Sequence, residues 1–319
     1  MRPIFCILLA FLCVGISLKA KAQRIDTTSA STTPISFKQN KRLQRTLAIQ
    51  GALWTGSLLA LNQAWYADYP RSRFHLFNDF PEWHQMDKLG HAYTGYLGTG
   101  FSYAAYRHAG LTEKQSAWYG AASGLAFLSV IEILDGFSTA WGFSPPDMLA
   151  NITGTGLFTV QQLAWHEQRI QLKVSAHRQF YRDPELEIRA NQFFGATTPQ
   201  RLLKDYNAQT YWLSFNPRLF GMPKPWPQWL LLSAGYGAEN MLGGRNNTWK
   251  DPQGIQHDRR DLPRLRQFYF APDIDLSKIK IKGKTPKLLK AFQYITLKFP
   301  LPALEINSAG QVKFHAISF

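Results

Sequence analysis

Cysteine is nearly absent: the 319 residues hold two, Cys6 and Cys13. Both fall in the first apolar run, so the remainder of the chain has neither a disulfide nor a thiolate to work with. Acids are also scarce, 21 against 36 Lys and Arg, for a formal charge of +15 that lies mostly after residue 166. Beyond the N-terminus no apolar run is uninterrupted; each longer stretch is diluted with Gly, Ser, Thr, Gln and Tyr. No Ser, Thr or Cys stands out as a nucleophile. His166-Glu167 lacks the second histidine that a zinc-binding helix needs. Disulfide scaffolds, thiol enzymes and zinc-helix proteases are thereby excluded.

What is present points to export. Arg2 supplies a positive start, residues 4–16 form an apolar run, and Ala20-Lys21-Ala22 is a small-x-small cleavage pattern. A signal peptide over 1–22 and a start at Gln23 are expected. The alternative, a lipid anchor on Cys13, puts bulky Leu12 where Gly or Ala is wanted. Residues 23–44, rich in Ser and Thr and then basic, read as a flexible tether. Aromatic content is 14%, with 10 Trp and 22 Phe, and such rings favour boundaries between oil and water. An exported basic chain meets anionic lipid or glycolipid headgroups rather than nucleic acid.

Four apolar segments follow, at about 46–65, 89–106, 115–134 and 148–165. Thr112 with Gln115 forms a capping box for the third, and Ser144-Pro145-Pro146-Asp147 opens the fourth. Asp79 with Glu82 suggests a longer second helix. Gly110 and Gly136 are natural stops. Gly95 with Gly98, Gly120 with Gly124, and Gly154 with Gly156 would let helix backbones approach closely. From about residue 172 the period changes to two: Tyr211, Leu213, Phe215 and Leu219, then Leu230, Leu232, Ala234 and Tyr236, then Phe268, Phe270, Ile274 and Leu276. Short helices are expected at 198–206 and 285–294, with five or six antiparallel strands around them. That is too few for a complete outer-membrane barrel. Lys313 and His315 also share the parity of Phe319, where lipid would demand apolar groups. The fold class is α+β: an apolar, Gly-rich four-helix bundle over 45–167, membrane-associated, and an antiparallel β region, sheet or partial barrel, over 168–319.

In an up-and-down bundle with short connections, three helix ends share one pole. They carry Asp87 with His91, Glu132 with Asp135, and Asp147 with Asn151, each pair on one helical face. Lys88 joins them. Ionisable groups at the edge of an apolar bundle need partners or a function. His91, Asp87, Glu132 and Asp135 are the catalytic candidates, as general acid and base. His91, Glu132, Asp135 and Asp147 are the candidate ligands for a divalent metal. A purely structural network, with Lys88, Asn151 and Gly154 in it, explains the same residues.

Asp87-Lys88-Leu89-Gly90-His91, Glu132-Ile133-Leu134-Asp135 and Asp147-Met148-Leu149-Ala150-Asn151 with Gly154 resemble the YfiM-type family of predicted periplasmic lipoproteins. The order is more distantly similar to VanZ-like membrane proteins, which usually have Gln where this chain has Asp135. The resemblance covers roughly 45–165. It implies an envelope location and a helical domain, and it brings no reaction with it. A separate feature is the run containing Lys278, Lys280, Lys282 and Lys284, with no acid between them. These lysines would attract anionic headgroups, or merely protect a strand edge. The sequence therefore favours a non-enzymatic, membrane-associated structural or binding protein of the envelope. The alternative is a hydrolase or transferase acting on a lipid or cell-wall headgroup; oligomeric state stays open.

Overall fold

The computed structural model describes residues 40–66, 69–221, 226–280 and 296–318. The expected signal peptide, most of the tether, Lys282, Lys284, the helix expected at 285–294 and Phe319 lie outside the described residues. The chain is α+β and divides into two units. One holds Asn78–Tyr93 and Gln168–Phe319; the other runs to Phe77 and resumes over Thr94–Glu167.

The helical unit begins with α1 (Lys41–Leu61), capped by Asn40, whose side chain accepts from Leu43 N–H. A π turn, Asn62–Tyr66, follows. Next come the part of α2 (Met86–His108) from Thr94 onward, α3 (Glu113–Gly136) and α4 (Pro145–Trp165). Thr112 and Gln115 close the capping box on α3, and Ser144 Oγ accepts from Asp147 N–H at the start of α4. These side chains satisfy N–H groups that a helix start leaves unbonded. The glycines act by what they omit. A Cβ on Gly95 would lie 2.6 Å from the Asn151 carbonyl oxygen, and one on Gly120 would lie 2.9 Å from the Tyr103 nitrogen. Backbone therefore meets backbone where α2 crosses α4 and α3, the close packing that small residues permit. Gly156 faces open space and takes no part. Among the described residues α3 is long and apolar enough to cross a membrane, and Trp118, Tyr119 and Ile133 on it are exposed.

In the other unit, the helix expected to run from Asp79 does not form. Trp83, His84 and Gln85 are left-handed, with φ of 52°, 49° and 62°. Three such residues in succession are costly for side chains with a Cβ. The turn is held from outside, by Trp83 N–H donating to Gly244 O and Tyr236 Oη donating to His84 O. Helix α2 starts only after it, at Met86.

The sheet region runs β1 (Ile170–Ala176), α5 (Pro184–Phe194), α6 (Thr198–Lys204), β2 (Gln209–Phe215), β3 (Leu230–Glu239), β4 (Thr248–Lys250), β5 (Gln256–Asp258), β6 (Leu265–Ile274), β7 (Leu301–Asn307) and β8 (Val312–Ser318). Among the described residues six strands pair antiparallel in the order β1-β2-β3-β6-β7-β8, and β4 with β5 forms a separate hairpin. The outer edge of β1 bridges Leu297, with Val174 N–H donating to Thr296 O and Lys298 N–H donating to Val174 O. The run entering β7 thus lies beside β1, which curls the sheet. Helix α5 was not expected from period alone. Asp183 caps it and Pro184 occupies its first turn, while Leu186, Ala190 and Phe194 fall on its buried side.

The sheet's two faces are reversed relative to a water-soluble protein. Register aligns Tyr211, Tyr236, Phe268, Ile306 and Val312 in one row across the strands. Leu213, Ala234, Phe270, Leu304 and Phe314 form the next row on the same face. Phe270 is 57% exposed and Phe314 is 72% exposed. The opposite face carries Lys173, Ser214, Ser233, Asp273, Gln267 and Glu305, all buried. Lys313 and His315 belong to this inner face: Glu305 pairs with Lys313 in register and accepts from His315 Nε2. Apart from buried Tyr211 and half-buried Tyr236, the apolar stripes are thus the exposed side of the strands, and the two basic residues of β8 point away from it.

Candidate functional site

Asp87, Lys88 and His91 stand on the first turns of α2, in the unit that contains the sheet. Lys88 Nζ is 2.9 Å from Asp87 Oδ2 and 2.7 Å from Asp79 Oδ1, all three buried. Tyr206 Oη donates to Asp87 Oδ1 at 2.6 Å. An ammonium shared by two carboxylates is the pairing that burial of such charges demands. His91 Nε2 lies 3.9 Å from Asp87 Oδ1, one turn along the helix. That spacing lets one nitrogen and one oxygen face a common divalent ion, while the neighbouring Lys88 ammonium opposes a cation there. Asp79 and Tyr206 were not singled out from the sequence. Asp79 was read only as a helix cap, and Tyr206 is 119 residues from Asp87.

The other predicted residues lie in the helical unit. Glu132 Oε2 accepts from Ser144 N–H at 3.3 Å, so its carboxylate faces the start of α4, where Asp147 occupies the first turn. Negative charge is favoured there by the aligned peptide dipoles. Asp135 accepts from Tyr66 Oη at 2.6 Å. Asn151 and Gly154 are buried on α4, one and two turns beyond Asp147. The oxygens of Glu132 and Asp147 are donors of the hard type that Mg²⁺ or Ca²⁺ takes.

A further polar system, missed by the sequence reading, fills the curl of the sheet. Asp273 Oδ2 is 2.8 Å from Lys173 Nζ and accepts from Ser214 Oγ at 2.9 Å. Ser214 Oγ is 2.7 Å from Ser233 Oγ, and Lys298 Nζ lies 3.8 Å from Asp273 Oδ1. Trp212 Nε1 donates to Ser175 Oγ. The indole lies so close over Gly235 that a Cβ there would fall 2.6 Å from it. The signal was in the sequence as the second phase of the alternation, with Ser214, Ser233 and Asp273 between apolar neighbours. Farther along the same face a cleft of about 340 Å³ is lined by Glu239, Gln267, Tyr269, Glu305, Lys313 and His315 among others. Of the lysines expected to attract headgroups, Lys278 ends a short turn after β6, and both it and Lys280 are exposed.

Outside the sheet, His257 is held between Glu185 Oε1 at 2.6 Å and Asp251 Oδ2 at 3.0 Å, stacked on Trp249. Hydrogen bonds to Asp251 and then Glu185 raise its pKa above the ordinary histidine value. His84 goes the other way. Burial, then the charges of Arg264 and Arg266, lower it to about 4.

Residues 77–162 match the family described as predicted periplasmic lipoprotein (DUF2279). This span contains every acidic, histidine and asparagine residue of the predicted cluster. The match supports an exported, cell-envelope location. No curated protein and no solved structure matches the chain.

Proposed function

We propose that the protein is a membrane-associated binding protein of the outer envelope, with the outer face of its sheet seated in lipid. One observation carries the reading: two cross-strand rows of aromatic and aliphatic side chains, exposed from Phe268 to Val312 in one and from Leu213 to Phe314 in the other, back onto a buried, mainly polar face. Water-soluble sheets bury the apolar side; the opposite arrangement belongs to strands that face lipid. A continuous exposed apolar patch of this kind needs a cover. Exposed Trp118, Tyr119 and Ile133 on α3 support the same surroundings for the helical unit. The strand order ends at β8 among the described residues. Open sheet edges are not tolerated within hydrocarbon. The fitting seat is therefore interfacial, with the apolar rows immersed and the β8 edge at headgroup level. Flotation of the purified protein with liposomes tests this. Co-migration with the vesicles that resists high salt and alkaline carbonate is the expected result, and recovery in the soluble fraction contradicts it.

A further inference from the structure

The cleft on the sheet's inner face has a charge arrangement of its own. Lys313 Nζ is 3.8 Å from Glu239 Oε1 and 3.8 Å from Glu305 Oε1. Two carboxylates from different strands, β3 and β7, thus converge on a point that a single ammonium occupies. Lys313 fills that point loosely. Its contacts are well beyond the roughly 2.7–2.9 Å of a close N–H to carboxylate bond, and the Lys313 side chain is 44% exposed on the edge strand β8. The buried pair Lys173–Asp273 in the same sheet closes to 2.8 Å. Around the two carboxylates, Thr210, Gln267, Tyr269, His177 and Ser318 present hydroxyl, amide and imidazole groups to the cleft.

We propose that this cleft binds a primary amine that also carries hydroxyl groups, of the amino-sugar or amino-alcohol class, with Glu239 and Glu305 receiving the ammonium. Glu305 is fixed for the task, since Gln267 Nε2 donates to its Oε1 and His315 Nε2 lies 2.6 Å from its Oε2. Gln267 also reaches Glu239 at 3.3 Å and ties the two acids together. In a chain of net +15 this cleft sets two carboxylates beside one lysine and two histidines, which favours an ammonium over free inorganic phosphate. Its volume of about 340 Å³ is at the small end of ligand pockets. Lys313 acts as an internal competitor that the ligand's amine displaces. The ammonium has two sources in an envelope, a free amino sugar or amino alcohol, or the amine of a lipid headgroup, whose alcohol oxygen is esterified. The lipid source rests on the membrane reading above; the site does not.

The test is equilibrium binding of glucosamine and ethanolamine to the full chain in detergent, with glucose, choline and inorganic phosphate as controls. The proposal expects glucosamine or ethanolamine to bind at least tenfold more tightly than glucose and choline. Glu239→Gln should weaken that binding tenfold or more, and Lys313→Met should strengthen it several-fold. Equal binding of glucose, preferential binding of phosphate, weakening by Lys313→Met, or no binding of either amine overturns it. Vesicles of phosphatidylcholine with and without phosphatidylethanolamine then separate the sources. Tighter association with the ethanolamine lipid that Glu239→Gln abolishes assigns a headgroup. Amine binding in detergent without that preference assigns a free ligand. Flotation on phosphatidylcholine alone should be the same for Glu239→Gln and the parent, so loss of the membrane reading and loss of this site register separately.

Discussion

Lys173 on β1 and Asp273 on β6 meet at 2.8 Å across the inside of the sheet, although two strands separate them in the sheet order. Only a strongly curled sheet brings those strands' inner faces together. The pair is almost fully buried, and Lys298 adds a second ammonium beside the same carboxylate. Removing the shared acid leaves two buried cations facing each other. Asp273→Ala should therefore destabilise the sheet unit by about 3–5 kcal/mol. Replacing Lys173, Asp273 and Lys298 together with Met, Leu and Met should recover much of that loss. Denaturant titration of the purified variants checks both. An Asp273→Ala protein as stable as the parent would remove the ion cluster from the account of the core.

The outer rows predict a different kind of sensitivity. A charge at Phe270 or Leu304 must be drawn out of lipid, at about 2–4 kcal/mol near a bilayer midplane and up to about 1 kcal/mol near its surface. A cost of about 1 kcal/mol changes partitioning roughly fivefold. Phe270→Arg and Leu304→Lys should cut the vesicle-bound fraction by that factor or more, while the circular-dichroism spectrum stays that of the parent. Unchanged flotation would exclude lipid contact at this face.

Much of the architecture was legible because it rests on local rules. Thr112-Gln115 and Ser144-Asp147 cap the helices where the residue types require it. The change of period near residue 172 marks the sheet, but the alternation runs on past the strand ends: Leu219 and Leu276 lie in short turns, and β2 stops at Phe215, before Pro217, which has no N–H to donate. What the sequence withheld is which side of each strand meets solvent. Alternation gives two faces but not their assignment, and Leu213 with Phe215 reads as naturally toward a core as toward lipid. The partners of Asp87 were hidden for another reason. Tyr206 arrives from a distant stretch, and Asp79 arrives through a left-handed turn at 83–85 that no propensity of Trp, His or Gln suggests.

Close approach of α2 to α4 sets a third expectation. Gly95→Ala puts a Cβ 2.6 Å from the backbone oxygen of Asn151. Helices must separate to admit it, at about 1–3 kcal/mol. Gly156→Ala meets nothing within 4 Å. It should raise stability by roughly 0.5–1 kcal/mol through lower chain entropy in the unfolded state. Thermal melts of the two variants should move in opposite directions; a shared direction would mean that glycine spacing is incidental to the packing.

His84 gives the sheet unit a pH dependence of known sign. Its folded pKa is lowered to about 4 by burial and by Arg264 and Arg266, from an ordinary value of 6.5. As pH falls below 6.5 the unfolded chain gains a proton that the folded chain refuses. This group's contribution is therefore present above 6.5 and is lost progressively down to about 4. His84→Gln should flatten the stability profile across that window. Parallel profiles for variant and parent would show that the imidazole does not titrate differently on folding.

The reversed sheet is the premise from which the membrane reading follows, and thiol scanning reaches it directly. The described residues contain no cysteine, so with Cys6 and Cys13 changed to Ser each introduced thiol is labelled alone. Spin labels at Phe270→Cys, Leu304→Cys and Phe314→Cys, and at Ser233→Cys and Ala271→Cys, are read in liposomes against oxygen, which concentrates in lipid, and a water-soluble nickel chelate. The account predicts that labels at 270, 304 and 314 collide mainly with oxygen, and that those at 233 and 271 do not. Equal or inverted accessibility between neighbouring residues 270 and 271 would contradict it.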